Sequence, residues 1–508
     1  MIMDFAYTII VESVKRFQPS CGNYFPHFSS EFHKIIPKPM KSISKKSFFM
    51  QKIDLPENRG AFLVGGSVRD LLLGRPPEDY DIAVPTDARS YAVEAARRIG
   101  THPIRIGKPG KRVYRIVTDT CIYDIAPVNG PTIESDLNQR DFTINAMALS
   151  LPAEDLIDCT GGLNDLRRKR IRMVSENAFL NDPIRLVRAY RFGAMLDFGI
   201  DPSTVRAIRR HAESIETAAG ERVWAELSKI LARPSSHTWI IQMAESGLLN
   251  GIFPDIRRLK GCMQNRYHDF DVLDHTLQAF SRLESTLHHG TSIPADTYRK
   301  IKPLIAENRC APLKLAMLLH DLGKPATRSR DDRGNIHFYG HEKTGAEIFG
   351  KISERLKLSN AEARFIHEMI RHHLKPLHLF NAQQAGTLTR RGITRLFMRL
   401  QENTPFLLLH ALADQQGKTA AESDTEAYRR FIIGLMEDYV SRFQPQKKMK
   451  PLLTGHDLRQ EFGLPPSPLY GKILARVEEE RLSDPSFGRR EALRLTEGLI
   501  RKAQRGEK

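Results

Sequence analysis

Asp79 and Asp81 stand two residues apart in Asp79-Tyr80-Asp81-Ile82-Ala83-Val84, a run that reads as a strand. In a strand both carboxylates project from the same face of the sheet. Two hard carboxylates side by side repel each other unless a cation lies between them, and Mg²⁺ carried with a nucleoside triphosphate is the usual solution. Asp124, in Ile122-Tyr123-Asp124-Ile125, is placed to add a third carboxylate from a neighbouring strand. Upstream, Gly65-Gly66 opens a short helix whose free N–H groups and dipole suit phosphate oxygens. Asp-x-Asp by itself is a weak signal; with Gly-Gly ahead of it, the pattern describes a site for a metal-bound triphosphate.

A second set of chemistry-bearing residues lies further on. The chain has 18 histidines, and several fall beside acids: His275 in Asp274-His275-Thr276, His320-Asp321 at the end of the apolar run Leu313–Leu319, His341 in Gly340-His341-Glu342, then His372-His373, and Asp414 in Leu412-Ala413-Asp414. An adjacent His-Asp with further histidines spread over several helices points to metal ligation, and imidazole with carboxylate suits Mn, Ni, Fe, Zn or Co. His372 and His373 compete for one place in that set.

The elements that must position these residues can be read from periodicity and punctuation. Ala61–Val64 is a short apolar strand ending in Gly65-Gly66, and Ser67–Gly74 is a helix closed by its glycine. Ala88–Ile99 is amphipathic, and Val113–Val117 and Cys121–Ala126 are further strands. From about Pro183 helical patterns dominate and strands nearly vanish. The chain is therefore a mixed α/β head followed by largely α-helical regions. No fixed-period repeat is present.

The 508 residues are enough for about three domains. Hydrophobic residues at 41% and charged residues at 27% exclude a mostly disordered chain. A net charge of +17 suggests a polyanionic partner, and nucleic acid suits it better than a membrane, because no spanning, lipidation or basic amphipathic segment is found. The five scattered cysteines contain no Cys-x-x-Cys pair and fit a reducing cytoplasm. Residues 1–55 mix prolines and lysines into a poorly ordered extension, or mark a start set too far upstream, since Met40 and Met50 both precede the first well-patterned segment.

In their order and spacing, Leu63-Val64-Gly65-Gly66-Ser67-Val68-Arg69-Asp70, Asp79-Tyr80-Asp81, Arg140-Asp141-Phe142-Thr143-Ile144-Asn145, Asn181-Asp182-Pro183-Ile184-Arg185 through Phe192, and Glu221–Leu227 resemble the bacterial class II tRNA nucleotidyltransferases. That family, of the polymerase-β-like superfamily, also includes bacterial poly(A) polymerases. The resemblance implies that Asp79 and Asp81 bind catalytic Mg²⁺ and that Asp124 helps activate the RNA 3′ hydroxyl. It implies that Gly65, Gly66 and Arg69 hold the triphosphate and that Arg140, Asp141 and Asn145 surround the sugar and phosphates. Asp182 and Arg185, three apart and expected on one helix face, would read the base edge. Arg188 and Arg191 would complete the nucleotide site, with CTP, ATP and tRNA as partners.

Three departures from the family pattern stand out. Asn181 replaces a usual Glu, Gln139 replaces a usual Arg, and the connection Ile125–Ser135 is short where CCA-adding members carry a longer flexible loop. Shortened versions of that loop resemble enzymes that add only CC, so a C-adding specialist is expected. The order His275, His320-Asp321, His341, His373, Asp414 resembles the HD phosphohydrolase superfamily. It implies one site from His275, His320, Asp321 and Asp414, a second completed by His341 and His373, and hydrolysis of cyclic phosphates or phosphomonoesters at RNA ends. Leu452–Leu458 resembles the family's tail, with Thr454-Gly455 and Ser467-Pro468 opening helices whose amides would meet tRNA phosphates.

The expected architecture is multidomain: extension 1–55, an α/β polymerase-β-like nucleotidyltransferase head over 56–175, an all-α neck over 176–258, an HD domain over 259–445 and a helical tail over 446–508. The rival functions are a poly(A) polymerase, an HD phosphohydrolase with an RNA-binding head, and a non-catalytic RNA binder.

Overall fold

The computed structural model describes residues 55–56, 60–107, 112–151, 155–263, 271–416 and 422–505. The expectation for residues 1–54 lies outside them. The chain divides into two compact units, Met1–Ile215 and Glu216–Lys508.

The first unit is organised by a seven-stranded mixed sheet: β1 (Phe62–Val64), β2 (Asp79–Val84), β3 (Ile104–Ile106), β4 (Val113–Val117), β5 (Ile122–Pro127), β6 (Ala148–Ser150) and β7 (Leu156–Ile157). Their order across the sheet is β3-β4-β5-β2-β1-β6-β7, with only β2 and β5 parallel. Alternation puts the acids on one face of β2, while Tyr80 and Ile82 face the interior at 6% and 1% exposure. Tyr80 stacks on Tyr123 of β5 at 5.3 Å, which locks the two central strands together beneath the carboxylates.

Helix α1 (Gly66–Leu72) leaves β1 through Gly65 at φ 74°, a left-handed conformation that favours glycine. Helix α2 (Ala88–Ile99) starts on an Asp87 side-chain cap and stops at Gly100, in the span its amphipathic pattern predicts. Helix α3 (Ile133–Leu137) closes the connection after β5 with a Thr132/Ser135 capping box. It joins Val64, Ala83, Ala146 and Ala148 in one apolar cluster. Helix α4 (Ile184–Leu196) begins after Pro183.

The expectation that Asp182 and Arg185 share a helix face is corrected here. Asp182 is extended at φ −152°, ψ 94°, and only Arg185 is helical. The residue before a proline is pushed out of the helical region by the pyrrolidine ring, so the helix cannot reach back to Asp182.

The described part of the second unit is helical apart from the two-residue strands Ser329–Arg330 and Ile336–His337. The helices used below are α5 (Gly220–Leu231), α6 (Val272–His289), α7 (Cys310–Leu319), α8 (His341–Leu356), α9 (Asn360–His372), α10 (Lys375–Gln384), α11 (Arg390–Leu400) and α12 (Thr404–Gln416). The Glu221–Leu227 motif lies within α5. Helix α7 is buried on every side from Ala311 to Leu319, as its unbroken apolar run requires. Its one charge, Lys314, meets Glu284 of α6 at 2.6 Å, a buried pair tied further to Ser236 and the Arg233 carbonyl.

Three C-terminal helices, α13 (Gly455–Phe462), α14 (Pro468–Ser483) and α15 (Arg489–Gln504), enclose a small core of their own around Leu458, Ile473, Val477 and Ala492. Arg391 and Arg395 of α11 fasten α14 through Glu480 and Glu479. The described cysteines Cys121, Cys159, Cys262 and Cys310 are free thiols. Among the described residues no helix is long and apolar enough to cross a membrane.

Candidate active sites of the two units

The parallel register pairs Asp81 directly with Asp124, so the carboxylates of β2 and β5 lie side by side. Ser67 fixes the strand that carries the acids: its hydroxyl donates to the Asp79 carbonyl at 3.1 Å and accepts the Asp81 N–H at 2.9 Å. Burial, and then the charge of Asp79, push the Asp81 carboxyl up to about 6; Asp124 adds to this, while Arg140 and Arg115 oppose it. Three carboxylates gathered on two adjacent strands have the donor chemistry of a divalent-cation site, so the residues fit Mg²⁺. A Cβ at Gly65 would lie 2.7 Å from Arg140 Nη1 and 3.4 Å from Asp81 Oδ2, so the turn runs against both groups.

Around this centre the remaining residues form a polar network. Arg69 donates to Asn145 Oδ1 at 2.8 Å and pairs with Asp70. Asn145 Nδ2 donates to Asp141, and Arg188 reaches the same carboxylate at 2.7 Å. Burial alone would raise Asp141, yet Arg188, Asn145 and the Phe142 amide hold it below the usual carboxylate value. Arg140 is braced by Asp136 at 2.9 Å, and Arg185 Nη1 donates to the Gln139 carbonyl at 3.0 Å. Arg191 is buried, with its guanidinium 3.8 Å from the Phe192 ring centroid.

In the second unit, α6, the α7 terminus, α8, the α9 terminus and α12 converge. Donor atoms of His275, His320 and Asp321 lie within 4.8 Å of one another, as do those of Asp321, His341 and His373, so Asp321 belongs to both groups. Asp414 Oδ1 is 2.9 Å from His275 Nε2 and 3.3 Å from His320 Nε2. Lys324 holds Asp321 at 2.7 Å.

Three of the rings share one device. Nδ1 of His320, His341 and His373 each contacts the carbonyl three residues back, at 2.8, 2.7 and 2.7 Å. In the neutral ring this assigns the proton to Nδ1 and leaves Nε2 as a lone pair aimed inward. His341 Nε2 and His373 Nε2 then face each other across 3.1 Å, two acceptors that a cation between them would reconcile. Burial disfavours charge on His320, yet Asp321 and Asp414 outweigh it and raise the ring to about 10. The donor set fits one or two transition-metal ions.

Residues 61–172 match the poly A polymerase head domain, residues 197–259 the probable RNA- and SrmB-binding site of polymerase A, and residues 298–413 the HD domain. An A-adding tRNA nucleotidyltransferase of Deinococcus radiodurans is 33% identical over 429 residues, covering 83% of this chain and 91% of the relative. The chain belongs to the tRNA nucleotidyltransferase family. A CC-adding tRNA nucleotidyltransferase of Thermus thermophilus is 31% identical, covering 85% of this chain and 92% of the relative. The Thermotoga maritima CCA-adding enzyme complexed with tRNA shares the fold, with a TM-score of 0.59 at 23% identity over 87% of this chain and 91% of that one.

Within this nucleotidyltransferase, Asp79, Asp81 and Asp124 come together at the strand ends near Gly65, Gly66 and Arg140. Arg69, Asp141, Asn145 and Arg188 join in one network, and Asp182 and Arg185 flank Pro183. Of the competing histidines, His373 enters the metal cluster while His372 does not. His275 and Asp414 fall outside the span matched to the HD domain, yet the fold returns them to it. At the tail, the Thr454-Gly455 helix start carries a capping box, in which the Asp457 carboxylate accepts the Thr454 N–H at 2.7 Å and pairs with Arg489.

Two residues escaped the sequence reading. Arg115 of β4 makes a bidentate pair with Asp124 at 2.8 and 2.7 Å, and the signal was an arginine inside an apolar strand. His410 is fully buried on α12, one turn before Asp414, with its ring 5.2 Å from that of His320. Neither of its ring nitrogens has a hydrogen-bond partner among the described residues. The i,i+4 spacing to Asp414 was the available signal.

The raised His320 makes a measurable prediction for the second cluster. The ring must lose its proton to ligate a metal, so binding of Mn²⁺ or Zn²⁺ at pH 8 is expected to release about one proton per chain. Affinity is accordingly expected to rise as pH increases from 7 to 9. Titration calorimetry in two buffers of different ionisation enthalpy reads the proton count, and zero release would contradict the assignment of His320 as a ligand.

Proposed function

We propose that this nucleotidyltransferase adds C to the 3′ end of tRNA, building CC from CTP without a nucleic-acid template. In this reading Asp79 and Asp81 hold Mg²⁺ in the head. Bound there, Mg²⁺ supplies Lewis-acid stabilisation of the charge that develops on the triphosphate. Asp124, oriented by Arg115, accepts the proton of the RNA 3′ hydroxyl as it attacks the α-phosphate in line. Gly65, Gly66, Arg69 and Arg140 hold the phosphates, while Asp141, Asn145 and Arg188 set the shape of the sugar pocket. Arg191, being buried, positions α4 rather than touching nucleotide. Asp182 and Arg185, on either side of Pro183, present an acceptor and a planar donor to the base edge.

The observation that carries C specificity is the connection after β5. Gly130 turns at φ 109°, Asn129 N–H donates to Asp136 at 2.9 Å, and the Asn129 side chain donates to Gln139 at 2.8 Å. Thr132 then caps α3. This is a short, internally bonded turn, with no length to rearrange between C and A. The A-adding Deinococcus relative favours a second reading, in which the chain supplies terminal A. Incubation with tRNA ending before its 3′ CCA, with CTP alone, ATP alone and both, separates the two. Two C residues and no A are expected, and efficient A incorporation onto tRNA ending in CC would overturn the proposal.

The second unit adds a metal-dependent phosphohydrolase to this reading, supported by the lone pairs converging on Asp321, His341 and His373. The five-part division into an extension, head, neck, HD domain and tail remains the proposed organisation.

A further inference from the structure

Beside the metal cluster of the second unit lies a cavity of about 410 Å³, a volume ordinary for a small-ligand site. Arg371, Lys375, Arg395 and Arg399 line it with His372 and His378, and no carboxylate is among its described lining residues. Arg371 is offset by Glu342 at 3.1 Å and Arg395 by Glu479 at 2.9 Å. Lys375 and Arg399 have no ion-pair partner among the described residues.

Two further observations point the same way. The ten-residue helix α10 begins at this cavity, at Lys375-Pro376, and no side chain caps its first turn. His372 Nδ1 is buried and has no hydrogen-bond partner among the described residues. An adjoining cavity of about 1010 Å³ shares Arg371, His372 and Arg399 but also holds Glu362, Glu368 and Glu402. The smaller cavity is the one whose described lining is cationic without an acid.

We propose that the Arg371–Lys375–Arg395–Arg399 cavity binds a phosphate-bearing anion, as a site separate from the triphosphate site of the head. Guanidinium forks match phosphate oxygens in pairs, and the uncapped start of α10, where Pro376 itself has no N–H to give, adds a favourable dipole. The consecutive residues His372 and His373 divide the region chemically: His373 serves the metal cluster and His372 lines the anion cavity. The inference does not rest on the choice between C and A addition, or on hydrolytic activity.

The test uses the full chain, titrated calorimetrically with inorganic pyrophosphate in the presence of EDTA. Saturable binding is expected, weakened at least about tenfold in the double variant Lys375→Glu/Arg399→Glu. Both positions are exposed, so the thermal midpoint and nucleotide addition at saturating CTP are expected to stay unchanged. Any metal-independent binding by the head is common to both proteins and cancels in the comparison. Competition then separates two sources of the same chemistry. Displacement by CTP but not by a short 3′-phosphorylated RNA supports a free nucleotide in this cavity, and the reverse supports the phosphate of an RNA end. Titration that does not saturate, or equal affinity in wild type and variant, overturns the proposal.

Discussion

Asp81→Asn is expected to lower nucleotide addition by at least about a thousandfold while leaving the protein folded. The change keeps the shape of the side chain and removes a single charge from the acid cluster. Asp81 faces Asp124 across the parallel β2–β5 pair, and its backbone N–H is held by Ser67. The strand register therefore does not depend on the lost oxygen. Stability should move in the opposite direction to activity. The folded-state pKa lies near 6, against an ordinary 3.8, so the folded chain binds more protons than the unfolded chain between those values. Unfolding free energy thus falls as pH rises through about 4 to 6, and above pH 6 the full penalty of the buried charge is present. Asparagine removes it. Without metal at pH 7.5 the variant should melt at the wild-type temperature or a few degrees higher, and Mg²⁺ with CTP should no longer raise its midpoint. Primer extension on tRNA and thermal melts with and without Mg²⁺ read both effects. Activity within tenfold of wild type would remove Asp81 from the metal site.

The strand that carries Asp79 and Asp81 was legible in the sequence because the needed information is local: a two-residue spacing, alternation with Tyr80 and Ile82, and a glycine turn ahead. The same local logic gives β2, α2 and the apolar α7 their limits. What was not legible depends on register and burial. Arg115 meets Asp124 only because β4 pairs with β5 so that the two are opposite each other. His410 matters because α12 turns its face toward His320, which helical spacing permits but does not require. The Asp182 error was avoidable, since Pro183 already forbids the helix that would have joined it to Arg185.

The two centres also differ in how their charge is managed. The head gathers carboxylates and leaves Asp81 partly unwilling to ionise, a state in which a divalent cation is strongly favoured over water. The second cluster places Asp321 among imidazoles and Lys324, which hold it well below the usual carboxylate range despite complete burial. An ionised, shared Asp321 is thus available to both donor groups, and His320 supplies the proton that a metal must displace.

Asp321→Asn follows as the sharpest test of the second centre, and it is expected to abolish metal loading at both donor groups together. Asp321 Oδ2 lies 3.2 Å from His320 Nε2, and Oδ1 lies 3.4 Å from His341 Nε2, so one carboxylate faces both sets. His275→Ala and His341→Ala each take a donor from one group only. Metal analysis after loading with Mn²⁺ or Zn²⁺ should therefore give about half the wild-type content for each histidine variant. For Asp321→Asn it should fall to near zero, an affinity loss of at least about a hundredfold. The proposed hydrolysis of 2′,3′-cyclic phosphates or phosphomonoesters at RNA ends should disappear with the metal, while nucleotide addition to tRNA stays within about twofold of wild type. Because Asp321 is ionised in the fold and stabilises it above pH 4, the asparagine variant will also melt earlier, so the histidine variants serve as the folded comparison. Full metal content in Asp321→Asn would refute the shared-ligand assignment. Loss of nucleotide addition in all three variants would make the cluster a structural support for the second unit instead of a hydrolytic centre.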